Sequence, residues 1–306
     1  GMGTCPEALE GLLLIDKPTG PTSHQVVATV RKRTGQRRIG HAGTLDPMAS
    51  GLLPLVLGRA TRLVRFLPHS PKVYEGRILL GVTTATDDVT GEIRTRHQGP
   101  LPGADDVLRA AGNFVGRLQQ VPPEVSARKV DGQRLYRLAR QGRPVRAPAR
   151  EVEIGRFDLA ATADPAEWSF VAEVSAGTYI RSLARDLGEA LGTGGVLAAL
   201  RRVRIGPMSV ARAAGLPDSA GGPDLLTTAV IPLDEMPLTT SPVRLTDPES
   251  VRSFLSGGEV EIDDPPSADG ECRVLDGSGE LLGIARVEGR RARPKVVLGL
   301  APGRSV

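Results

Sequence analysis

The segment that decides the fold lies between residues 38 and 51 and reads Arg38-Ile39-Gly40-His41-Ala42-Gly43-Thr44-Leu45-Asp46-Pro47-Met48-Ala49-Ser50-Gly51. Its glycines permit tight turns and the close approach of a ligand. Pro47 disfavours a helical conformation at the preceding Asp46. The pattern therefore predicts an acidic side chain held on a turn-rich loop, just before the apolar strand Leu52–Leu57.

The segments on either side of this loop predict mixed α and β structure. Leu12–Asp16 is typical of a short buried strand, and Thr22 with Gln25 forms a capping box that opens a helix. Farther along, apolar periodicity predicts strands over 74–82, 151–159 and 168–174 and helices over 105–119 and 179–191.

The sequence pattern changes after the Gly/Pro-rich stretch Gly215–Pro223. A short helix is expected near Pro248–Leu255, and residues 276–279 and 288–290 are typical of hairpin turns. These features predict a small β-rich domain from about residue 240 to the C-terminus.

Composition excludes several classes of protein. The chain has 306 residues, of which 40% are hydrophobic and 24% charged, so it can bury a core and lacks the signature of disorder. Its apolar runs are too short to span a bilayer. Cys5 and Cys272 are isolated, which indicates neither a disulfide scaffold nor a zinc site. No secretion signal is recognised, so the expected location is the cytoplasm.

Charge is distributed unevenly along the chain. The net charge is +4, yet residues 125–150 carry eight Lys or Arg against one Asp, whereas residues 213–275 are acidic. Basic clusters of this kind favour a polyanionic partner such as nucleic acid. The alternative is a bias of the genome, because the chain has 34 Arg against 5 Lys.

Residues 40–51 resemble the catalytic motif G-H-x-G-T-L-D-P-x-A-x-G of the TruB family of tRNA pseudouridine synthases. Further segments resemble family motifs in the family's order along the chain: 11–23 (lysine–proline motif), 72–76 (tyrosine motif), 126–142 (RNA-facing insertion), 175–188 (third catalytic-site motif) and 200–206 (leucine–arginine motif). The resemblance covers about residues 11–212.

The resemblance implies roles for four residues of the site. Asp46 is expected to be the catalytic aspartate, and Arg181 the arginine that pairs with it. Tyr74 is expected to stack on the target base, and Tyr179 to hydrogen-bond in the substrate site. Without the motifs, Arg181 would be interpreted as a solvated helix residue and the two tyrosines as core residues.

Four further positions follow from the resemblance. His41 is expected to fill the space that the flipped uridine leaves, and Leu200 to line the pocket. Lys17 and Asp88 are expected supporting residues. The chain departs from the family at Ala85, where Asp is common, and around 125–128, where it lacks the usual Tyr before Ser.

The predicted function is the isomerisation of uridine 55 in the T arm of tRNA to pseudouridine, without a cofactor or metal, by a monomer. The expected fold is α/β (α+β type), with a mixed, largely antiparallel sheet and a PUA-like C-terminal domain. Residues 1–10 are expected to be a tag or tail, 11–238 the catalytic domain with an RNA-binding insertion at about 100–150, and 239–306 the C-terminal domain. Within the insertion, Arg137, Arg140 and Arg143 are expected to contact the RNA backbone.

Three alternatives remain open at this stage. One is a relative that takes its target from a guide RNA, and another is an RNA-binding or RNA-folding protein without catalysis. The third is an aspartate-dependent glycosidase, which normally needs two carboxyl groups flanking one bond, whereas the motif supplies only Asp46.

Overall fold

The computed structural model describes residues 9–124, 147–216 and 224–300, and also residues 129–130 and 133–134. In chain order the strands are β1 (Gly11–Lys17), β2 (Ile39–His41), β3 (Ala49–Leu57), β4 (Lys72–Leu80), β5 (Val82–Thr84), β6 (Ile93–Arg96), β7 (Gly116–Gln120), β8 (Lys129–Val130), β9 (Gln133–Arg134), β10 (Arg150–Ala161), β11 (Glu167–Val174), β12 (Gly195–Ile205), β13 (Met208–Ser209), β14 (Ala214–Gly215), β15 (Ser241–Leu245), β16 (Val260–Glu261), β17 (Gly270–Asp276), β18 (Leu281–Glu288) and β19 (Arg291–Val297). The α-helices are α1 (Ser23–Thr34), α2 (Ala104–Gly112), α3 (Ile180–Ala190), α4 (Asp224–Ala229) and α5 (Pro248–Leu255). Short 3₁₀ helices span Gly58–Phe66, Val210–Arg212 and Leu233–Glu235.

A mixed sheet forms the centre of the molecule. Within the described ranges it has ten strands. Eight follow the order β14-β1-β3-β12-β4-β11-β10-β7, and of the other two, β2 pairs with β3 and β13 pairs with β12. β12 pairs in parallel with β3, and β14 in parallel with β1, while the other pairings are antiparallel. The predicted mixed, largely antiparallel sheet is therefore confirmed.

Local sequence signals account for the first elements of the fold. The side chain of Thr22 accepts from the backbone N–H of Gln25, and the Gln25 side chain accepts from the backbone N–H of Thr22, so α1 begins with the predicted capping box. The helix ends at Gly35, whose φ of 70° is the left-handed conformation that favours glycine. β1 is buried along almost its whole length, as its apolar run predicts.

The helix predicted over 105–119 is wrong in its second half. α2 ends at Gly112, and the chain re-enters the main sheet as β7, which begins at Gly116 with a φ of 113°. Leu108 and Val115, predicted on the buried face, are 47% and 49% exposed. Apolar spacing imitates a longer helix here, but two glycines and the pairing of β7 with β10 override it.

β12, which the sequence did not predict as a strand, is central to the sheet. It pairs with β3 on one side and with β4 on the other, so it lies next to the loop that carries Asp46. α3 packs against β12 and contributes to the apolar core on that side, where Ile180, Leu183 and Leu187 are buried. β12 thereby lies between β3, which follows the Asp46 loop, and β4, which carries Tyr74.

The C-terminal part forms a second, five-stranded sheet in the order β15-β17-β18-β19-β16. α5 packs against it through Phe254, which is fully buried. Both predicted hairpin turns are present, between β17 and β18 and between β18 and β19. Leu281 and Ile284 of the second sheet share one apolar core with Leu12 of the main sheet and with Phe66, so the two parts pack together. A C-terminal β domain is therefore confirmed.

Candidate active site

The Asp46 loop, residues 42–48, is fixed at several points between β2 and β3. The hydroxyl of buried Ser23 accepts from the backbone N–H of Leu45 at 3.0 Å and donates to its carbonyl at 3.1 Å. The N–H of Ala49 donates to the carbonyl of Asp46 at 2.9 Å, which closes a turn around Pro47. The loop backbone is therefore ordered before any substrate arrives.

Arg202 holds the other side of the Asp46 loop. Its side chain is 1% exposed and donates to the carbonyl oxygens of Gly43 at 2.7 Å and Leu52 at 2.9 Å. A planar guanidinium can donate to two fixed carbonyls at once because its N–H groups diverge in one plane. Arg202 thus connects β12 to the loop and to β3.

Asp46 projects from this loop into a cavity of about 250 Å³. Its side chain is 54% exposed, and its Oδ2 lies 3.6 Å from Nη2 of Arg181, which is 11% exposed. Nη1 of Arg181 donates to the carbonyl of Thr86 at 3.1 Å, and this second contact fixes the guanidinium beside Asp46. The Arg181 guanidinium therefore faces the Asp46 carboxylate from a fixed position.

The same cavity is lined by most of the predicted site residues. Tyr74 lies on β4 and is 7% exposed, Leu200 lies on β12, and Tyr179 immediately precedes α3. The backbone of Tyr179 is held by buried Gln120, whose amide accepts from the Tyr179 N–H at 2.8 Å and donates to its carbonyl at 3.2 Å. The structure therefore brings Asp46, Tyr74, Tyr179, Arg181 and Leu200 together.

His41 does not line this cavity in the described residues. It ends β2, where its ring lies edge-on to that of His24 with 5.3 Å between centroids. Its Nδ1 is buried and has no hydrogen-bond partner among the described residues. Burial first, and then the nearby charges of His24 and Arg202, lower the pKa of His41 below its ordinary value.

Lys17 and Asp88 are not among the described residues that line this cavity either. Buried Lys17 donates to the carbonyls of Pro18 at 2.9 Å and Pro21 at 2.8 Å. Burial lowers the pKa of Lys17 below its ordinary value, and the negative charge of Asp46 offsets only part of this shift. Asp88 accepts from the Thr86 hydroxyl at 2.8 Å and from the Thr90 N–H at 2.9 Å. Asp88 therefore shapes the loop that presents the Thr86 carbonyl to Arg181.

Some predicted positions and features fall outside what the structure describes. Arg137, Arg140 and Arg143 lie outside the described residues.

Across the described ranges no cluster of three or more His, Cys, Asp or Glu is arranged to hold a metal ion. In those ranges no helix has both the length and the apolar character needed to cross a membrane.

Sequence reasoning missed two cationic residues of the cavity, Lys72 and Arg202. Both line it together with Asp46 and Arg181. A signal for Lys72 was present, because strand residues two apart share a face and Lys72 precedes Tyr74 by two positions. For Arg202 no local signal existed, since its role depends on the position of β12 between β3 and β4.

Comparisons with known proteins give a single family along most of the chain. TruB family pseudouridylate synthase (N-terminal domain) matches residues 31–180, and tRNA pseudouridylate synthase B C-terminal domain matches residues 181–236. Pseudouridine synthase II TruB, C-terminal, matches residues 241–298.

Curated relatives agree with the family assignment. The chain is 42% identical to tRNA pseudouridine synthase B of Thermobifida fusca (strain YX), over 94% of this chain and 98% of the relative. It is 41% identical to tRNA pseudouridine synthase B of Nocardia farcinica (strain IFM 10152), over 95% of this chain and 94% of the relative.

Solved structures share the fold. A chain from the crystal structure of a Cbf5-Nop10-Gar1 complex superposes with a TM-score of 0.69 at 25% identity, covering 94% of this chain and 85% of that chain. A chain of the archaeal box H/ACA sRNP Nop10-Cbf5 complex gives a TM-score of 0.69 at 22% identity, covering 98% and 93%, and that likeness concerns the fold alone. With family models over most of its length and a relative 42% identical over 94% of it, this chain belongs to the TruB family of pseudouridine synthases.

Proposed function

We propose that this protein isomerises uridine 55 in the T arm of tRNA to pseudouridine. One observation carries the proposal: a half-exposed carboxylate, Asp46, is paired with Arg181 at 3.6 Å in a cavity that Tyr74 also lines. The curated relatives at 41–42% identity bear the name tRNA pseudouridine synthase B. The T-arm position follows from the family resemblance of residues 40–51.

The cavity suits one nucleobase. Its volume is about 250 Å³, and pockets for drug-sized ligands hold roughly 300–1,000 Å³. A uridine must leave its stack to enter, which costs a few kcal/mol. Stacking of the base on Tyr74 offsets part of that cost. We assign His41 to the space that the base leaves, and Leu200 and Tyr179 to the walls around the flipped nucleotide.

Asp46 supplies the reacting carboxylate. The reaction breaks the N1–C1′ bond, turns the base and joins C5 to C1′, with loss of the C5 proton and gain of a proton at N1. A carboxylate serves as a nucleophile or as a base without a partner to deprotonate it. Attack at C1′, addition to C6 and removal of a ribose proton all start from Asp46, and the proposal covers all three.

Arg181 preserves the charge of Asp46 during the reaction. When RNA covers the cavity and excludes water, an isolated carboxylate would tend to take up a proton. The Arg181 guanidinium opposes this through its charge, and the Thr86 carbonyl holds it in place at 3.1 Å. Asp88 contributes indirectly because it orders the Thr86 loop, and Lys17 does so by fixing the segment Pro18–Pro21.

The proposal extends to the organisation of the chain. We assign residues 11–238 to catalysis, 239–306 to the C-terminal domain, 1–10 to a tag or tail and Arg137, Arg140 and Arg143 to the RNA backbone. The reaction is a redox-neutral isomerisation that adds no outside group to the base, so we assign it no redox or group-transfer cofactor. We also assign it no metal, and EDTA is expected to leave the rate on folded tRNA unchanged. A monomer in the cytoplasm remains our prediction.

The guide-dependent alternative is less well supported than a stand-alone enzyme. A chain of the Cbf5-Nop10-Gar1 complex, which is a multi-protein assembly, is 25% identical to this chain. Relatives named tRNA pseudouridine synthase B reach 42% identity over nearly the whole length of both proteins.

The test is to incubate the purified protein with unmodified tRNA transcripts and to map pseudouridine chemically. Modification is expected at one uridine of the T arm and nowhere else. A transcript with cytidine at that position is the matched control and must stay unmodified. Modification at another position, or only after a second RNA is added, would overturn the proposal, and so would tight tRNA binding without any pseudouridine.

A further inference from the structure

The cavity that holds Asp46 carries an excess of positive charge. Among its described lining residues, Lys72, Arg181 and Arg202 face a single carboxylate, that of Asp46. Arg202 uses its guanidinium on the carbonyls of Gly43 and Leu52, and Arg181 donates to the carbonyl of Thr86 and lies next to Asp46. Two of the three cations therefore act on the protein itself.

Lys72 is different from these two arginines. It is half-buried, and its ammonium has no hydrogen-bond or ion-pair partner among the described residues. Its backbone is fixed because β4 pairs it with Val174 of β11 on one side and Ile205 of β12 on the other. Three donors on a fixed strand thus remain available to a molecule in the cavity.

The surroundings of Lys72 favour an anionic ligand. Burial, and then the charge of Arg202, lower the pKa of Lys72 to about 8. The protonated side chain is therefore poorly solvated. A negative charge placed beside it would relieve this cost, since an opposite charge favours the ionised form.

Strand geometry brings Lys72 close to the site of the base. Lys72 and Tyr74 are two residues apart on β4 and share one face of the sheet. Such residues lie roughly 7 Å apart along the strand, which the long lysine side chain readily spans. A uracil ring stacked on Tyr74 would therefore lie within reach of the Lys72 ammonium.

We propose that the Lys72 ammonium donates a hydrogen bond to the uracil ring as the N1–C1′ bond breaks and stabilises the negative charge that forms on the base. This inference rests on the proposed function. When the bond breaks, both of its electrons stay on the base, where N1, O2 and O4 share them. C5 then joins C1′, and its proton is lost while N1 gains one. Lys72 keeps its own proton throughout.

The proposal makes Lys72 a catalytic residue whose interaction strengthens in the transition state. Removing one preorganised donor to a developing anion costs roughly 100- to 1,000-fold in rate. The competing assignment is a clamp for a phosphate of the RNA. A clamp acts equally in the ground state and the transition state, so its loss would weaken binding and leave the rate of bound tRNA unchanged.

The variants Lys72→Met and Lys72→Arg separate these possibilities. With saturating tRNA in single turnover, Lys72→Met is expected to react about 100-fold more slowly while its Kd stays within about threefold. Lys72→Arg, which keeps the charge, is expected to recover at least about tenfold of that loss. Lys295→Met, at an exposed lysine of the second sheet, is the matched control and should behave as wild type.

The pH profile of kcat/KM gives an independent readout and does not require the Met variant to fold. This parameter reports groups of the free enzyme, so the wild-type value is expected to fall as pH rises through about 8. In Lys72→Arg that fall should disappear, because arginine stays protonated.

Three results would overturn the inference while wild-type enzyme is active. They are a Lys72→Met rate within about threefold of wild type, a loss confined to Kd, and a wild-type kcat/KM that rises through about pH 8, which would make neutral Lys72 a base. Inactive wild-type protein would instead contradict the proposed function itself.

Discussion

The guanidinium of Arg202 donates a 2.7 Å hydrogen bond to the carbonyl oxygen of Gly43, three residues before Asp46. Its Nε donates to Leu52 at the same time, so one side chain of β12 fixes the segment on both sides of Asp46. The position of the carboxylate therefore depends on the contact of β12 with β3, and not on the loop alone.

Replacing Arg202 with Lys tests this dependence. The charge is retained, but a single ammonium cannot reproduce the planar fork that reaches both carbonyls. A displacement of about 1 Å at a reacting group costs roughly 100-fold in rate, so we expect a loss of 10- to 100-fold in single turnover with little change in tRNA affinity. Arg204→Lys, at an exposed position of the same strand, is the matched control. Turnover within about twofold of wild type would remove Arg202 from this role.

Acid should destabilise the protein through His41. Its pKa is lowered in the folded state by burial, His24 and Arg202, whereas an unfolded histidine titrates near about 6.5. As pH falls through about 6.5, the unfolded chain binds a proton that folded His41 does not, so the free energy of unfolding decreases. Urea unfolding at several pH values should show a smaller acid-induced decrease in His41→Gln.

The exposed His69 provides the control for that experiment. His69→Gln should retain the wild-type dependence on pH. If His41→Gln and wild type lose the same free energy of unfolding between neutral pH and mildly acidic pH, the buried environment of His41 does not couple to stability.

A separate prediction concerns RNA affinity and the basic residues between 125 and 150. Neutralising Arg137, Arg140 and Arg143 together should weaken binding to any tRNA and lower the salt slope by about one unit for each lost phosphate contact. The rate on fully bound tRNA should change little, since such residues position phosphates. Filter binding across a salt series measures the slope. An unchanged slope in the triple variant would indicate a solvated basic face shaped by genome composition.

Elements governed by local signals could be predicted from the sequence. The capping box of Thr22 and Gln25 satisfies backbone groups three residues apart, so it is visible in any short window. The same reasoning failed over 105–119, because the stop at Gly112 and the pairing of β7 with β10 outweigh apolar spacing. Non-local pairing is invisible to periodicity.

Some residues of the candidate site could likewise be predicted from the sequence, whereas others depend on non-local strand pairing. Asp46 and Arg181 were predicted through family motifs, and the structure places their side chains 3.6 Å apart although they are far apart in the chain. Lys72 and Arg202 were missed because their importance arises where β4 and β12 pair beside the Asp46 loop. Gln120 was missed too, since nothing local shows that it holds the backbone of Tyr179.

In the proposed reaction the Asp46 carboxylate performs the chemistry. Asp46→Asn keeps the size of the side chain and removes its charge, while basic residues elsewhere are expected to supply most of the tRNA affinity. The decisive measurement is pseudouridine mapping of tRNA incubated with Asp46→Asn, at protein concentrations where filter binding shows the tRNA to be bound. Asp46→Asn is expected to form no detectable pseudouridine and to bind tRNA with a Kd within about tenfold of wild type. Pseudouridine formed at a rate within about tenfold of wild type would show that the carboxylate does not perform the chemistry.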